Sequence, residues 1–386
     1  LISGPLGTMV GLYETAIEAL STDRTHDPPV RPKILASTAT VRRAGKQIRA
    51  LFGRARTNLF PPPGVDAFET WFATLDKGSP GRQYVGVAAP GRAMKAILLR
   101  SYVALLGASA RVYDRTGPED QPADAYMTVA GYFNSLRELG GMRRLVEDDV
   151  RTRCAQAEAR VPRDAVGPHP YVKRRELLEP VELTSRESTA TIAQTKARLA
   201  LPHPHDRHVD VLLASNMISV GVDIDRLGLM VVAGQPKTTS EYIQASSRVG
   251  RQPKWPGLVV TCFNVHKPRD RSHYERFVSY HESFYRYVEA QSLTPFSAPA
   301  VERGLAGVLT ALVRLGEPAM TPPAAAMDLD EHRAFADRMA ELLGARAAEQ
   351  PGLVHGKEDA AERLEALATN LLDAWDGVAD DAAQKL

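Results

Sequence analysis

The sequence is poor in cysteine and contains no long apolar run. Cys154 and Cys262 are its two cysteines among 386 residues, and neither stands at the spacing of a metal-binding pair. The simple interpretation is a reducing compartment, the cytoplasm, and no structural zinc. Because no apolar run reaches the length of a membrane span, no membrane partner is expected.

Neither sign of charge dominates the chain. Lys and Arg together number 48, Asp and Glu 46, and the net charge is +2. This balance neither demands nor excludes nucleic acid, since binding depends on local patches of charge. With 44% hydrophobic and 24% charged residues, the chain has the composition of a globular protein of two or three domains.

The phosphate-binding loop of many nucleotide-binding proteins is also missing. Nowhere does Gly-x-x-x-x-Gly-Lys precede Ser or Thr, and Gly45-Lys46-Gln47 lacks both the leading Gly and the hydroxyl residue. The first residue is Leu1, and residues 1–7 look like the interior of a protein. We therefore expect the chain to be a fragment whose upstream part is missing.

The most informative part of the sequence is the stretch over residues 209–251. Two short apolar runs, 209–214 and 229–232, are rich in β-branched residues and predict strands of a parallel sheet covered on both faces. Polar, Gly-containing sequence follows each run, where open α/β sheets bind ligands. Similar runs predict strands at 33–37, 84–88, 127–133 and 258–263.

Two arginines close this central stretch. Arg248 and Arg251 are three residues apart, and we expect them on one face of a helix. A guanidinium pair suits a polyphosphate, because it offers several fixed donors and permanent charge. Taken alone, such a pair is more often a surface salt-bridge pair.

The central stretch resembles motifs V and VI of the superfamily 2 helicases in both order and spacing. The resemblance rests on Ser215, Gly221, Asp223, Gln244, Arg248 and Arg251. One departure is Ser247, which stands where motif VI usually has Gly.

The resemblance implies a site that hydrolyses ATP between two RecA-like domains. Arg248 and Arg251 are then arginine fingers at the γ-phosphate, and Gln244 orients phosphate or water. Gly221 allows close backbone approach. Asp223 accepts a hydrogen bond from the ribose or pairs with an arginine of motif VI. ATP and Mg²⁺ are the implied cofactors, with Mg²⁺ held mainly by first-domain residues that the chain lacks.

A second set of residues is implied for nucleic acid. Ser135, after the predicted strand 127–133, resembles motif IV, although a simple helix cap explains it equally well. Ser185 and Arg186 resemble the strand end that precedes motif V. By the same resemblance, Ser215 and Asn216 contact a nucleic-acid phosphate.

A motif that couples the two sites is predicted near the start of the chain. Ser37, Thr38, Ala39 and Thr40 follow the predicted strand 33–37 and resemble motif III. The competing interpretation is an N-cap, in which Thr40 begins a helix over 41–52.

Residues 215–223 and 234–239 look specifically like helicases of the DISARM anti-phage system, as do residues 1–14. This resemblance implies an α/β fold, a RecA-like parallel sheet with helices on both faces, over 82–268. Residues 1–81 are then a remnant of the first RecA-like domain with a connector, and 269–386 a helical extension. DNA and other defence-system proteins are the implied partners.

Two alternatives stay open. The chain is also compatible with a non-catalytic nucleic-acid-binding or scaffold module that keeps a RecA-like fold. An RNA helicase is a further alternative, because these motifs do not separate DNA from RNA.

Three other patterns are interpreted as structural. The charge run Lys173-Arg174-Arg175 is expected on a solvated face, with phosphate contact as the alternative. The histidines at 203, 205 and 208 are expected in a surface loop without metal, because no Cys or acidic cage is near. A largely aromatic stripe between Tyr274 and Val288 is expected to pack on the sheet, with stacking on bases as the alternative.

Overall fold

The structure is a computed structural model that describes residues 4–38, 40, 42–62, 65–66, 69–76, 78–116, 122–160, 173, 175–219, 224–290, 293–350 and 356–383. The chain divides into two compact units. One, the helical unit, combines Leu1–Ala67 with Ala290–Leu386, and the other, the α/β unit, is Phe68–Glu289. The α/β unit contains the predicted range 82–268 and extends beyond it at both ends. Assignment of residues 1–81 to a first RecA-like domain stays a prediction.

The strands are β1 Gln83–Ala88, β2 Val129–Phe133, β3 Val181–Leu183, β4 Val211–Ala214, β5 Leu229–Ala233 and β6 Leu258–Phe263. The α-helices are α1 Gly4–Ser21, α2 Ala44–Phe52, α3 Met94–Thr116, α4 Leu136–Leu145, α5 Arg151–Ala155, α6 Thr189–Leu199, α7 Thr239–Ser246, α8 Pro268–Glu275, α9 Phe277–Glu282, α10 Ala298–Gly316, α11 Arg333–Ala348 and α12 Lys357–Ala383.

The α/β unit is built on one six-stranded sheet in the order β1-β6-β5-β2-β4-β3. Every pair of neighbouring strands is parallel. All the strands therefore end at the same edge, called here the carboxyl edge, and begin at the opposite, amino edge. The predicted parallel α/β sheet is confirmed.

Both faces of this sheet are buried. Side chains alternate along each strand, so that Val129 and Val231 enter one core while Ala130 and Val232 enter the other. Helices α3 and α4 cover the first face, and α6 and α7 contribute to the second core. Near-continuous apolar strands are typical of a parallel sheet with helices on both sides.

Helix α3 corrects the expectation that no apolar run reaches the length of a membrane span. Its residues 94–115 are long and apolar enough to cross a membrane by length and composition. Half of the 18-residue window that meets this test is buried, however, and Leu98, Tyr102 and Leu106 pack in the core of the α/β unit. These contacts are typical of a core helix.

The helical unit has its own core. Leu12 of α1, Val308 of α10, Leu343 of α11 and Leu372 of α12 are buried together in it. Helices α11 and α12 of the tail form an αα-hairpin, joined by ion pairs from Arg333 to Asp373 (2.6 Å) and Asp376 (2.5 Å).

The predicted strand 33–37 is wrong. Residues 31–38 form neither helix nor strand, and Leu35 is 86% exposed. The cap interpretation of Thr40 is also wrong, because α2 begins at Ala44 after Arg43, whose φ is 58°. Ala39 lies outside the described residues, and Thr40 donates its amide hydrogen to the Thr38 hydroxyl at 3.3 Å. An isolated β-propensity run needs a neighbouring strand, and the described part of this unit provides none.

Candidate functional site

Three predicted nucleic-acid-binding serines meet at the carboxyl edge. Strands β2 and β3 both pair with β4 in register up to its last residue, Ala214. Ser215 follows Ala214 directly, while Ser135 and Ser185 lie two residues beyond the ends of β2 and β3. Because adjacent strands are ~4.8 Å apart, these serines occupy neighbouring positions along one edge.

Their local contacts differ. Ser135 is the N-cap of α4 and accepts a hydrogen bond from the Glu138 amide at 3.3 Å, so the cap interpretation is confirmed, and its side chain is exposed. Ser185 is exposed as well. Ser215 is buried and donates to the Asn216 amide oxygen at 3.3 Å, with Asn216 exposed.

Exposed cations accompany the same edge. A Lys or Arg side chain lies three or four residues beyond the ends of five strands: Arg92, Arg137, Arg186, Lys237 and Lys267. Two of them form ion pairs, Arg186 with the buried Glu182 (2.7 Å) and Lys267 with Glu138 (3.0 Å). The edge thus combines hydroxyl and cationic groups, the chemistry that contacts phosphates.

One buried carboxylate holds two loops of this edge. Asp270 is 1% exposed and accepts the amide hydrogens of Gln235 (3.1 Å) and Asn264 (2.9 Å). Gly234 has φ +78°, and a Cβ atom there would lie 2.9 Å from the Asp270 carboxylate. Sequence reasoning missed Asp270, because an Asp in the first turn of a polar helix looks like a solvated residue.

The prediction that Arg248 and Arg251 share one helix face is wrong. Helix α7 ends at Ser246, and both arginines lie in the turn that follows. Gly250 makes that turn with φ +65°, a left-handed conformation that favours glycine. Burial lowers the pKa of the half-buried Arg248, whereas Arg251 is exposed. Gln244 lies on α7 and is partly exposed.

Gly221 and Asp223 lie outside the described residues, which resume at Ile224. Three residues further on, Leu227 accepts the amide hydrogen of Gly250 at 2.7 Å. Leu227 precedes β5, so this contact belongs to the amino edge of the sheet. The structure therefore brings Leu227, four residues beyond the predicted motif V segment, beside the arginine turn, on the edge opposite the serines.

The base of the arginine turn is also held by residues at the beginning of β1. Arg82, just before β1, donates to the Val249 carbonyl at 2.9 Å. The Tyr84 hydroxyl lies 3.1 Å from the Ser246 hydroxyl. These contacts fix where the chain leaves α7.

The aromatic stripe divides between the core and the surface. Phe284 packs edge-on against Tyr84 (5.5 Å between ring centroids) and Tyr242 (5.2 Å), as the packing interpretation predicts. Val278 and Tyr285 are 67% and 65% exposed.

The charge run at 173–175 contains a buried residue. Arg175 is 6% exposed and its guanidinium forms an ion pair with the buried Asp210 (2.5 Å), so the solvated-face interpretation is wrong at this position. It also donates to the Met127 carbonyl (2.6 Å) and the Ser109 hydroxyl (3.0 Å). Lys173 is exposed as predicted, and Arg174 lies outside the described residues.

Asp210 is ionised in this network. Burial alone raises its pKa, but the facing His208 and the charge of Arg175 outweigh burial and lower the pKa of Asp210 to about 2. No pattern in the sequence marks this pair, because the two residues are 35 positions apart and their partners lie on different elements.

Residues 174–252 match the family described as the helicase conserved C-terminal domain. The chain is 44% identical over 325 residues to the DISARM protein DrmA of Bacillus paralicheniformis, a match that covers 82% of this chain. The chain spans 28% of the length of that relative.

Two solved helicase structures are similar at low identity. One is MrfA bound to DNA and AMPPNP, with 14% identity and a TM-score of 0.48 over 81% of this chain and 35% of that one. The other is Lhr of Mycobacterium smegmatis bound to ssDNA and AMP-PNP, with 15% identity and a TM-score of 0.44 over 72% of this chain and 29% of that one.

Proposed function

Because this chain belongs to the superfamily 2 helicases, we propose that it forms the second RecA-like half of an ATP-dependent motor that moves along nucleic acid. DNA as the polymer, anti-phage defence as the setting, other defence-system proteins as partners and a cytoplasmic location are parts of this proposal. The relationship to DrmA supports the setting.

One observation carries the proposal: the connection from β4 to β5 begins at one of the predicted phosphate-contacting serines and ends against the arginine turn. It leaves the carboxyl edge at Ser215 and reaches the amino edge at Leu227, which bonds to Gly250. A motor must transmit a change at its nucleotide to its grip on the polymer. A segment that contacts both of these groups is suited to that task, and we propose the same coupling role for Ser37, Thr38, Ala39 and Thr40.

At the carboxyl edge, the exposed hydroxyl and cationic groups would bind the phosphate backbone. Ser135, Ser185, Ser215 and Asn216 would supply hydrogen bonds, and Arg186 would supply charge. Backbone contacts of this kind position a strand without reading its sequence.

At the amino edge, Arg248 and Arg251 would contact the γ-phosphate of ATP, and Gln244 would orient phosphate or water. Guanidinium groups are donors that suit phosphate oxygens, whereas Mg²⁺ takes oxygen ligands, so this turn fits the triphosphate rather than the metal. Bound with ATP, Mg²⁺ neutralises phosphate charge. We propose that Gly221 allows the backbone to approach the nucleotide closely. Asp223 would accept a hydrogen bond from the ribose or pair with an arginine of motif VI.

The deciding experiment is ATPase activity of this chain and of the longer parent protein that we propose, each with and without single-stranded DNA or RNA. We expect no ATPase activity from this chain and DNA-stimulated ATPase activity from the parent protein. A parent that binds DNA but hydrolyses no ATP would favour the non-catalytic scaffold. Stimulation by RNA alone would favour an RNA helicase, and an active chain would contradict the division of labour proposed here.

A further inference from the structure

A cluster of two histidines and one aspartate lies at the amino edge of β4. The geometry points to a divalent-metal site formed by His203, His208 and Asp210, for Zn²⁺ or an ion of similar ligand preference. One donor atom from each residue lies within 4.8 Å of the other two. Absence of an acidic cage argued against a metal here, but Asp210, outside the histidine-rich loop, supplies the carboxylate.

The first argument is the tautomer of His208. Its Nδ1 is in hydrogen-bond contact with the His205 carbonyl, which can only accept, so Nδ1 carries a hydrogen. The Nε2 of neutral His208 is then a bare lone pair. It faces Asp210 Oδ1, a second acceptor, at 3.0 Å. A cation must stand between two facing acceptors, either a proton or a metal.

The second argument is the number of acceptors that converge. His203 Nδ1 lies 3.3 Å from His208 Nε2, which adds a third donor atom for a metal. One proton hydrogen-bonds well to one of these neighbours, whereas a metal ion binds all three. Tetrahedral zinc with bonds of ~2.0–2.2 Å separates its ligand atoms by ~3.3–3.6 Å. The distances from His208 Nε2 to His203 Nδ1 (3.3 Å) and to Asp210 Oδ1 (3.0 Å) are close to this range, and all three atoms lie within 4.8 Å of one another.

The third argument is that Asp210 has a lone pair left for this ion. Its Oδ2 accepts the Leu178 amide hydrogen at 2.8 Å, and its Oδ1 accepts from Arg175 at 2.5 Å. An oxygen has two acceptor positions, so Oδ1 retains one directed at His208. The hydrogen bond of His208 to a backbone carbonyl is also the outer contact that commonly orients a metal-binding histidine.

The surroundings set what kind of site this is. His203 is partly exposed, which leaves room for water as a fourth ligand. The guanidinium of Arg175 repels a dication, so we expect reversible binding rather than a permanently filled site. Bound metal would hold the loop over 203–208 against the start of β4, which is a structural role.

The test is titration of this chain with Co²⁺ and Zn²⁺. We expect one equivalent of Co²⁺ to produce visible d–d absorption, Zn²⁺ to displace it, and Zn²⁺ to raise the melting temperature. His203→Ala is expected to lower affinity by at least about tenfold, on the scale of losses seen when metal-site contacts are removed. The control is His205→Ala, an exposed neighbour whose backbone carbonyl survives the substitution.

Two outcomes would overturn the site. In the first, wild-type protein shows no Co²⁺ absorption and no Zn²⁺-dependent shift in melting temperature, which would mean that a proton lies between His208 and Asp210. In the second, His205→Ala weakens metal binding as much as His203→Ala does. Circular dichroism of the variants separates a lost ligand from a lost fold, and His208→Gln tests a second ligand without removing the side chain.

Discussion

Gly250 donates its amide hydrogen to the carbonyl of Leu227 at 2.7 Å. This bond joins the turn that carries both arginines to the segment that returns from the carboxyl edge. It requires Gly250 in a left-handed conformation, at φ +65°. The position of the proposed nucleotide-binding arginines therefore depends on one residue without a side chain.

Gly250→Ala is expected to destabilise the protein by about 1–3 kcal/mol, the scale of one strained backbone position. A Cβ atom would lie 2.1 Å from the Gly257 nitrogen, a backbone atom that cannot rotate away. Gly140→Ala is the control: nothing lies within 4 Å of its Cβ position in α4, and it should stabilise by about 0.5–1 kcal/mol. Urea denaturation measures both. Equal midpoints for the two variants would show that the turn tolerates a side chain.

Arg248→Ala and Arg251→Ala are each expected to reduce ATPase activity of the parent protein by about 10³–10⁵-fold, as loss of an arginine finger does elsewhere. Binding to single-stranded DNA should be nearly unchanged, since the residues proposed to bind nucleic acid lie at the other edge. Arg207→Ala, an exposed arginine outside the helicase motifs, is the control. Wild-type ATPase activity in both variants would remove the finger assignment.

Lys237→Ala and Arg137→Ala are expected to weaken binding to single-stranded DNA and to reduce its salt dependence. Each phosphate contact contributes about 0.7 to the slope of log affinity against log salt concentration. Fluorescence anisotropy at several salt concentrations measures this slope, again with Arg207→Ala as the control. An unchanged slope in both variants would mean that single-stranded DNA does not bind at the carboxyl edge.

Arg175→Ala is expected to cost about 3–5 kcal/mol of unfolding free energy, because it leaves the buried Asp210 carboxylate without its ion-pair partner. Lys173→Ala, two residues away and exposed, should change stability little, although it too removes an ion pair, with Asp114 (2.5 Å). Chemical denaturation distinguishes them. Similar midpoints for both variants would mean that Arg175 belongs to the solvated face after all.

Strands β1, β2, β4, β5 and β6 could be predicted because each is a short apolar run, and their parallel pairing follows from burial on both faces. Strand β3 contains Glu182, and only the resemblance at Ser185 and Arg186 indicated it. That pairing explains why Ser135, Ser185 and Ser215 come together. Other features depend on partners distant in the chain. The burial of Arg175 requires Asp210, and the end of α7 before Arg248 requires the backbone of Gly257 beside Gly250.

The prediction of a strand at 33–37 is wrong because a local preference for an extended chain is not sufficient to form a strand. The apolar residues of this segment favour an extended chain, yet a strand is stabilised by its neighbours, and α2 follows without one. Local composition predicts what a segment prefers, while the sheet decides which segments are included.

The order of the strands also has a consequence for synthesis on the ribosome. Strand β1 lies at the end of the sheet, and its one neighbour is β6, so that Gln83 pairs with Leu258. At translation rates of about 5–20 residues per second, the earliest strand waits roughly 10–30 s for the last one to be made. Helix α1 waits longer still for α10, because the whole α/β unit is translated between them. A nascent chain that stalls before residue 258 would present an unpaired β1, which is a template for aggregation.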